Sequence, residues 1–297
     1  AWAKAFGGSS SEVGYGIATR ADGTAVVTGL FSSSTASFGA TTLRSAGGWD
    51  VFVASLNADG SVAWAKAFGG SSDDFGYSIA TRADGTAVVT GTFLSSTASF
   101  GATSLRSAGG WDVFVASLNA DGSVAWAKAF GGSSNDRGYG IATRADGTAV
   151  VTGYFWSSTA SFGATSLRSA GYEDVFVASL NADGSVAWAK AFGGSSSEVG
   201  YGIATRADGT AVVTGYFSSS TASFGATTLR SAGGWDVFVA SLNADGSVAW
   251  AKAFGGSSDD FGYSIATRAD GTAVVTGSFY SSTASFGATS LRSAGYG

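Results

Sequence analysis

The residues best suited to chemistry are acids and aromatic residues that occur together in one stretch of the chain. They are Asp136, Glu173, Tyr154, Trp156 and Tyr172. A glycosidase needs two carboxylates placed across a substrate, and this stretch combines acids that break the repeat symmetry with nearby aromatic residues. Adjacent carboxylates beside Arg137 are more simply explained as an ordinary surface ion group, and nothing in their spacing shows that they converge. This cluster is the best catalytic candidate, but the sequence favours a protein without catalysis.

Four residue types with useful chemistry are absent, because the chain contains no His, Cys, Met or Pro. Their absence excludes disulfides, thiolate and imidazole metal sites, histidine general bases and cysteine nucleophiles. Serine and threonine hydroxyls are plentiful but have no histidine to activate them. Lys4, between Trp2 and Phe6, suits a strand lysine whose stem covers apolar neighbours better than it suits a base. We therefore expect no enzymatic activity and no cofactor.

Two loop patterns resemble ligand sites only weakly. The glycine-rich segment from Phe6 to Ser10 lacks the Gly-Lys-Ser/Thr sequence and the helix start of a phosphate-binding loop. Asp22-Gly23 lacks the additional carboxylates of a calcium loop and is explained by Asx-turn chemistry. The pairs Asp73-Asp74 and Asp259-Asp260 could bind Ca²⁺ together with backbone carbonyls, although solvated loop acids are the simpler interpretation. We expect no metal site.

Any functional residue must be positioned by a repeated unit of 62 residues. The string Ala-Trp-Ala-Lys-Ala-Phe-Gly-Gly begins at Ala1, Ala63, Ala125, Ala187 and Ala249. The units are therefore 1–62, 63–124, 125–186, 187–248 and a truncated 249–297. With 45% hydrophobic and 12% charged residues, the array can bury a core. Internal repetition at this period is typical of propellers and solenoids.

Charge and hydropathy exclude two classes of partner. The formal charge is −5, and the 16 basic residues recur singly without forming a run, which argues against nucleic acid. No apolar stretch approaches the roughly 18 residues that span a bilayer, so we expect no membrane insertion. The chain opens directly inside a unit, without an initiator Met, so we expect a processed product or an excerpt of a longer array.

Each unit is predicted to contain four antiparallel strands. The segment 16–29 has β-branched runs flanking the turn Ala21-Asp22-Gly23, and 50–68 repeats this pattern around Asn57 to Gly60. We name the predicted strands a (near Gly16 to Arg20), b (Thr24 to Phe31), c (Asp50 to Leu56) and d (Ser61 to Phe68). Four-stranded repeats indicate an all-β β-propeller, with a β-solenoid as the alternative. Tight hairpin turns favour the propeller.

Several strings resemble the bacterial SBBP-type propeller repeat along essentially the whole chain. They are Trp64 to Gly70, Gly76-Tyr77, Asp84-Gly85, Val89-Thr90-Gly91 and Asp112 to Ala116 with Asp121-Gly122. The chain departs from that repeat where Ser55 replaces a usual lysine and at Thr19-Arg20. The resemblance implies a propeller fold and an extracellular or cell-surface location, but no reaction.

Differences between the units indicate where a specific function could lie. When the five units are aligned, 53 of the 62 columns are invariant. In the first unit, the residues in the nine variable columns are Ser11, Glu12, Val13, Gly16, Leu30, Ser32, Thr42, Gly48 and Trp49. All nine are predicted to lie on one face, in the d–a loop, at the start of strand a, at the end of b, in the b–c connection and at the start of c. The opposite face, with both Ala-Asp-Gly turns, does not vary.

We interpret the variable face as a binding surface for a glycan or a protein. Neutral drift of exposed loops is the alternative, but the equally exposed turns have not drifted, and the substitutions include residues favoured in binding hot spots. A structural or engineered scaffold without a small ligand is the second alternative. The candidate ligand-binding residues are Glu12, Val13, Leu30, Trp49, Asp74, Phe75, Leu94, Trp111, Asp136, Arg137, Tyr154, Trp156, Tyr172, Glu173, Glu198, Tyr216, Trp235, Asp260, Phe261 and Tyr280.

The incomplete fifth unit predicts an open array. It contains strands a and b but lacks strand c, and the strand d expected at Ala1 to Phe6 has no blade of its own. Joining these ends would leave a gap in an antiparallel ladder. We therefore expect self-association through the incomplete blade, or further repeats, rather than a closed five-bladed monomer.

Overall fold

The computed structural model describes residues 1–295, which form strands, turns and bends and no helix. Among these residues there is accordingly no helix that could cross a membrane. The first two units, extended to the strand that crosses into the third, contain β1 (Gly7–Gly8), β2 (Glu12–Thr19), β3 (Ala25–Phe31), β4 (Thr35–Phe38), β5 (Thr41–Arg44), β6 (Asp50–Leu56), β7 (Val62–Phe68), β8 (Asp74–Thr81), β9 (Ala87–Phe93), β10 (Thr97–Phe100), β11 (Thr103–Arg106), β12 (Asp112–Leu118) and β13 (Val124–Phe130).

The remaining units repeat this order. The third and fourth contain β14 (Asp136–Thr143), β15 (Ala149–Phe155), β16 (Thr159–Phe162), β17 (Thr165–Arg168), β18 (Asp174–Leu180), β19 (Val186–Gly194), β20 (Glu198–Thr205), β21 (Ala211–Phe217), β22 (Thr221–Phe224), β23 (Thr227–Arg230), β24 (Asp236–Leu242) and β25 (Val248–Phe254). The fifth contains β26 (Asp260–Thr267), β27 (Ala273–Phe279), β28 (Thr283–Phe286) and β29 (Thr289–Arg292).

The strands form propeller blades, which confirms the predicted fold. The first blade is an antiparallel sheet in the order β2-β3-β6-β7, which is the predicted order a-b-c-d. The second, third and fourth blades repeat it with β8-β9-β12-β13, β14-β15-β18-β19 and β20-β21-β24-β25. The predicted a–b turn closes each hairpin, since Gly23 has a φ of 83° and the Asp22 carboxylate accepts the Thr24 N–H at 2.9 Å.

Strand a begins earlier than predicted. It starts at Glu12, and Glu12 and Val13 pair with Phe31 and Leu30 instead of lying in a loop. The register shifts between Gly14 and Gly16, so the strand carries a β-bulge. A bulge interrupts the two-residue alternation of side chains, which hid the first half of the strand from pattern reading.

Each unit also contains a second, smaller hairpin that the prediction of four strands missed. In the b–c connection, β4 pairs with β5, and Thr35, Ala36, Ser37 and Phe38 alternate between exposed and buried. In the second unit the ring of Phe100 stacks on Phe68 at 5.2 Å and lies 4.8 Å from Phe114. This hairpin therefore covers the outer part of the blade with a phenylalanine stack.

Successive blades pack through a shared apolar core around a central axis. Val51 and Val53 of the first blade lie in one buried cluster with Val89 and Phe114 of the second. Side chains of one blade also donate hydrogen bonds to the backbone of the next blade, as Trp64 Nε1 does to Ala120 O at 2.8 Å. The a strands contact one another from blade to blade, so they line the axis.

The two ends of the array are open. The fifth blade contains only β26 and β27 among the described residues. At the other end, Ile17 is 66% exposed although its copy Ile79 is 5% exposed. Residues 1–6 form no strand, yet Phe6 stacks on Phe38 at 5.4 Å as Phe68 stacks on Phe100. Phe6 therefore takes the place that strand d of a preceding blade would fill.

A mid-strand glycine provides a test of the bulge geometry. A Cβ on Gly91 would lie 1.8 Å from the Phe75 carbonyl oxygen and 2.7 Å from the Phe114 ring. We expect Gly91→Ala to lower the free energy of unfolding by about 1 to 3 kcal/mol, because the bulged strand a and the ring of strand c must both move. Urea denaturation measures the change.

Gly14→Ala is the matched control, since no atom lies within 4 Å of its Cβ position. Its effect should stay within about 0.5 kcal/mol. Equal stability of the Gly91→Ala variant and the parent chain would contradict the close approach at the bulge.

Candidate functional site

The variable segments meet at one end of each blade junction. The Asp74 N–H donates to Trp49 O at 2.7 Å, and the Leu94 N–H donates to Asp73 O at 2.9 Å. Trp49 N also donates to the Asp73 carboxylate at 3.1 Å. The start of strand c, the start of the next strand a and the end of strand b are thus joined by hydrogen bonds.

Not every candidate residue on this face reaches the surface. Seven are buried: Leu30, Asp74, Asp136, Glu198, Asp260, Tyr154 and Tyr216. Six are exposed: Val13, Leu94, Trp156, Tyr172, Trp235 and Tyr280. Seven are half-buried: Glu12, Trp49, Phe75, Trp111, Arg137, Glu173 and Phe261. The last two groups present substantial side-chain surface to solvent, whereas the members of the first group are almost entirely covered.

The acids at the start of strand a organise the d–a loop instead of facing a ligand. The Asp74 carboxylate accepts the Gly70 N–H and the Ser95 hydroxyl, both at 2.7 Å, and the Leu94 N–H at 3.1 Å. Glu198 accepts the Gly194 N–H at 2.6 Å. We expected these acids among the ligand-binding residues. The structure buries them because the loop's N–H groups have no other acceptor nearby.

The same burial separates the two acids of the catalytic candidate. Asp136 accepts N–H groups of Gly132, at 2.7 Å, and Trp156, at 3.0 Å, and has no exposed surface. Glu173 is half-buried and lies near Tyr154. Burial is the main cause that raises the pKa of Tyr154, and the negative charge of Glu173 adds a smaller increase. A substrate at Glu173 would not reach the Asp136 carboxylate, so the pair does not have the arrangement of a glycosidase.

An invariant tyrosine, not singled out from the sequence, lines the centre of the propeller. Its five copies are Tyr15, Tyr77, Tyr139, Tyr201 and Tyr263. They surround a channel of about 360 Å³, together with glycine, serine and isoleucine residues of the a strands. Neighbouring rings lie 4.9 to 5.8 Å apart, as in Tyr139–Tyr201 and Tyr201–Tyr263. Each tyrosine sits at the bulge of its strand, and a bulge re-aims a side chain.

Variable aromatic residues extend this circle of five tyrosines outward. Tyr216 stacks on Trp235 at 4.6 Å and lies 5.7 Å from Tyr201. Phe261 contacts Tyr216 at 5.3 Å and Tyr263 at 6.0 Å. We call the five central tyrosines and the variable rings packed on them the aromatic mouth. Phe75, Tyr154, Tyr216 and Phe261 touch the tyrosines directly, and Trp111 and Trp235 pack on Phe75 and Tyr216.

The third unit breaks the symmetry of the aromatic mouth with charge. The Arg137 guanidinium lies 4.9 Å from the centre of the Trp111 ring, a cation–π contact. The Nε of Arg137 is buried without a hydrogen-bond partner. Burial raises the pKa of Tyr201 to about 12, so its phenol stays neutral and can donate a hydrogen bond at physiological pH.

Pairs of buried carboxylates lie at the blade junctions below this face. The two carboxylates lie close together, since a Cβ atom added to Gly69 would lie 2.0 Å from Asp50 Oδ1 and 2.8 Å from Asp74 Oδ2. Asp50 Oδ1 is buried without a hydrogen-bond partner. The other pairs are Asp112 with Asp136, Asp174 with Glu198, and Asp236 with Asp260. Burial raises the pKa of Asp74 and that of Asp112 to about 6 in each case. Within residues 1–295, no group of three or more acids could hold a metal ion.

Comparisons with known proteins show only distant likeness. No protein-family model and no curated protein matches the chain. A solved protein of unknown function from Bacteroides caccae is 10% identical over 82% of both chains, with a TM-score of 0.38. An apocarotenoid oxygenase from Synechocystis is 11% identical over 87% of this chain, with a TM-score of 0.43; this chain matches 53% of the oxygenase, about half its length.

The Pan2 WD40 domain of Neurospora crassa is 9% identical over 91% of this chain and 86% of that domain, with a TM-score of 0.33. Likenesses of this size carry no argument about activity. The blade topology described above is the basis for assigning the propeller fold.

The buried acid pairs predict that stability depends on pH. A carboxyl whose pKa is raised in the folded protein holds its proton more tightly than in the unfolded chain, so stability falls as pH rises from about 4 to above 6. The chain has no histidine to titrate in this range. We expect a higher free energy of unfolding at pH 5 than at pH 8, measured by urea denaturation.

Asp112→Asn tests which acids cause this dependence. An amide nitrogen in place of the unpartnered Oδ1 can donate to Asp136, which should add about 1 kcal/mol at pH 8 and flatten the pH profile. Asp121→Asn, in an exposed turn, is the control and should change stability equally at both pH values. A steeper profile for Asp112→Asn would exclude the buried pair as the cause.

Proposed function

We propose that this protein is a non-enzymatic binding module whose aromatic mouth recognises a glycan or a protein surface outside the cell. The observation that carries this proposal is the continuity of the aromatic mouth. Invariant tyrosines around the channel touch variable aromatic rings on the side of the propeller where the units differ. Aromatic faces stack on sugar rings and also fill pockets of protein partners.

The chemistry of the mouth is suited to a polar ligand with apolar faces. Tyrosine hydroxyls provide neutral donors and acceptors, and Trp156 and Tyr172, 45% and 62% exposed, provide uncovered rings beside the mouth. Arg137 adds a cation that is held against Trp111. Large exposed aromatic residues are costly in water, and a partner that covers them would remove that cost.

The pattern of variation supports binding over drift. The column of Glu12, Asp74 and Glu198 changes only between acids, because the N–H groups of the loop require an acceptor. Position 32 has no such requirement and changes from the half-buried Ser32 to the exposed Trp156. The finer proposal that the repeat belongs to the SBBP type, and with it an extracellular location, is supported by the sequence strings alone. A scaffold without a ligand is the competing function.

The test removes the third unit's distinctive side chains without disturbing the core. In the variant Arg137→Val with Trp156→Ser, both positions take the residues of the first unit. We expect the parent chain to bind a subset of a printed glycan array and the variant to lose about tenfold or more in affinity, with an unchanged melting temperature.

Ala83→Ser, on an exposed turn of the opposite face, is the matched control and should bind like the parent. Retained glycan binding by the double variant would contradict the contribution of Arg137 and Trp156 to recognition at the mouth. A glycan array that stays blank, together with saturable binding of a purified protein partner that the double variant loses, would favour the protein ligand. Blank results in both screens would favour the scaffold.

A further inference from the structure

Arg137 brings a positive charge into a position that is apolar in every other unit. In the third blade it lies opposite Tyr154 in the pairing of strands a and b, as Val13 lies opposite Leu30 in the first blade. Its copies are Val13, Phe75, Val199 and Phe261. Because uncharged side chains fill this position in the other four units, the fold does not require the charge.

The guanidinium of Arg137 lacks an anionic partner. Within residues 1–295, the structure places no carboxylate against it. The preceding acid, Asp136, already accepts the N–H groups of Gly132 at 2.7 Å and Trp156 at 3.0 Å. The Nε of Arg137 is buried without a hydrogen-bond partner, and the side chain as a whole is half-buried. A guanidinium that has lost part of its hydration without gaining an anion is a set of donors that lacks an acceptor.

Neutral aromatic groups surround this charge. The Arg137 guanidinium lies 4.9 Å from the centre of the Trp111 ring, and Trp111 packs on Phe75 at 4.9 Å. Burial raises the pKa of Tyr139, and the positive charge of Arg137 opposes part of this rise, which places the phenol near the guanidinium. The protonated Tyr139 hydroxyl can therefore donate to an anion that also contacts Arg137.

The negative charge of Glu173 acts mainly on another side of the mouth. Burial raises the pKa of Tyr216 in the fourth blade, and Glu173 adds a smaller increase. Burial also raises the pKa of Tyr77 in the second blade, and there Arg137 opposes part of the rise. The two charges of the third blade therefore extend toward opposite neighbours, and Glu173 does not neutralise Arg137.

We propose that Arg137, with Trp111 and Tyr139 beside it, binds the carboxylate or sulfate group of an acidic sugar. This inference rests on the proposed function, because it names the class of glycan that the aromatic mouth recognises. The planar guanidinium presents its N–H donors in a fork that matches the oxygens of such anions. The exposed Trp156, two residues after the partner of Arg137 on strand b, supplies an aromatic face for the sugar ring.

The experiment uses the full chain on an array that prints each uronate-containing oligosaccharide beside its methyl ester and each sulfated one beside its desulfated form. We expect the chain to bind the acidic member of at least one pair about tenfold or more tightly than the neutral member. A preference in the ester pairs identifies a carboxylate, and one in the desulfated pairs identifies a sulfate. High salt should weaken the preference, because it screens a half-exposed charge.

Three variants separate charge from stacking. Arg137→Gln should reduce the preference to less than about twofold and leave the binding of neutral members unchanged. If it does not fold, Arg137→Val takes its place, since valine occupies this position in the first and fourth units. Arg168→Gln removes the same charge from an exposed position of the outer hairpin in the same unit and should keep the preference. Trp156→Ser should weaken both members of a pair equally, because it removes a ring and no charge.

The results that would overturn this inference differ from those that would overturn the proposed function. Equal binding of both members of every pair by the parent chain would exclude an acidic sugar and leave glycan binding by the mouth intact. A preference that Arg137→Gln retains would place the anion at another residue and overturn the assignment to Arg137. An array that stays blank would overturn it as well, and the screen for a protein partner would then decide the proposed function.

Discussion

The structure depends on one packing constraint: each blade buries its inner sheet face against the blade before it. Valines of one blade, such as Val51 and Val53, share a cluster with Phe114 and Val89 of the next. A single unit exposes both of its faces, so it cannot form this core alone. The constraint recurs at every junction, and it fixes the residue types of the buried columns.

Variation is tolerated only where this constraint is weak. The ends of strands b and the starts of strands a and c lie beyond the shared core, where side chains reach the surface or the channel. Even there the loop limits the choice, because an acid at the position of Asp74 must accept N–H groups that have no other partner. The contacts of the proposed ligand are therefore assigned to a few side chains around the aromatic mouth.

Much of this architecture was determined by the sequence alone. The 62-residue period, the Asp-Gly turns and the alternation in strands b, c and d predicted four-stranded blades and their order, because these patterns are local and act through φ angles and side-chain periodicity. The location of the variable loop columns at one end of the blades also followed from them, but not all nine columns lie there. Thr42 lies in β5, whose hairpin turn at Gly39 reaches Val62 beside the opposite turn, and Gly16 lines the channel. The small b–c hairpin was missed although Thr-Ala-Ser-Phe alternates clearly.

Other features were decided only by the tertiary structure. An invariant column gave no sign that Tyr139 and its copies meet around an axis, since that requires five separate strands and a bulge in each. Sequence could not distinguish the exposed Trp156 from the buried Asp136 on the same face, because burial depends on which loop N–H groups need an acceptor. Convergence of residues far apart in the chain is a property of blade packing, and local pattern does not encode it.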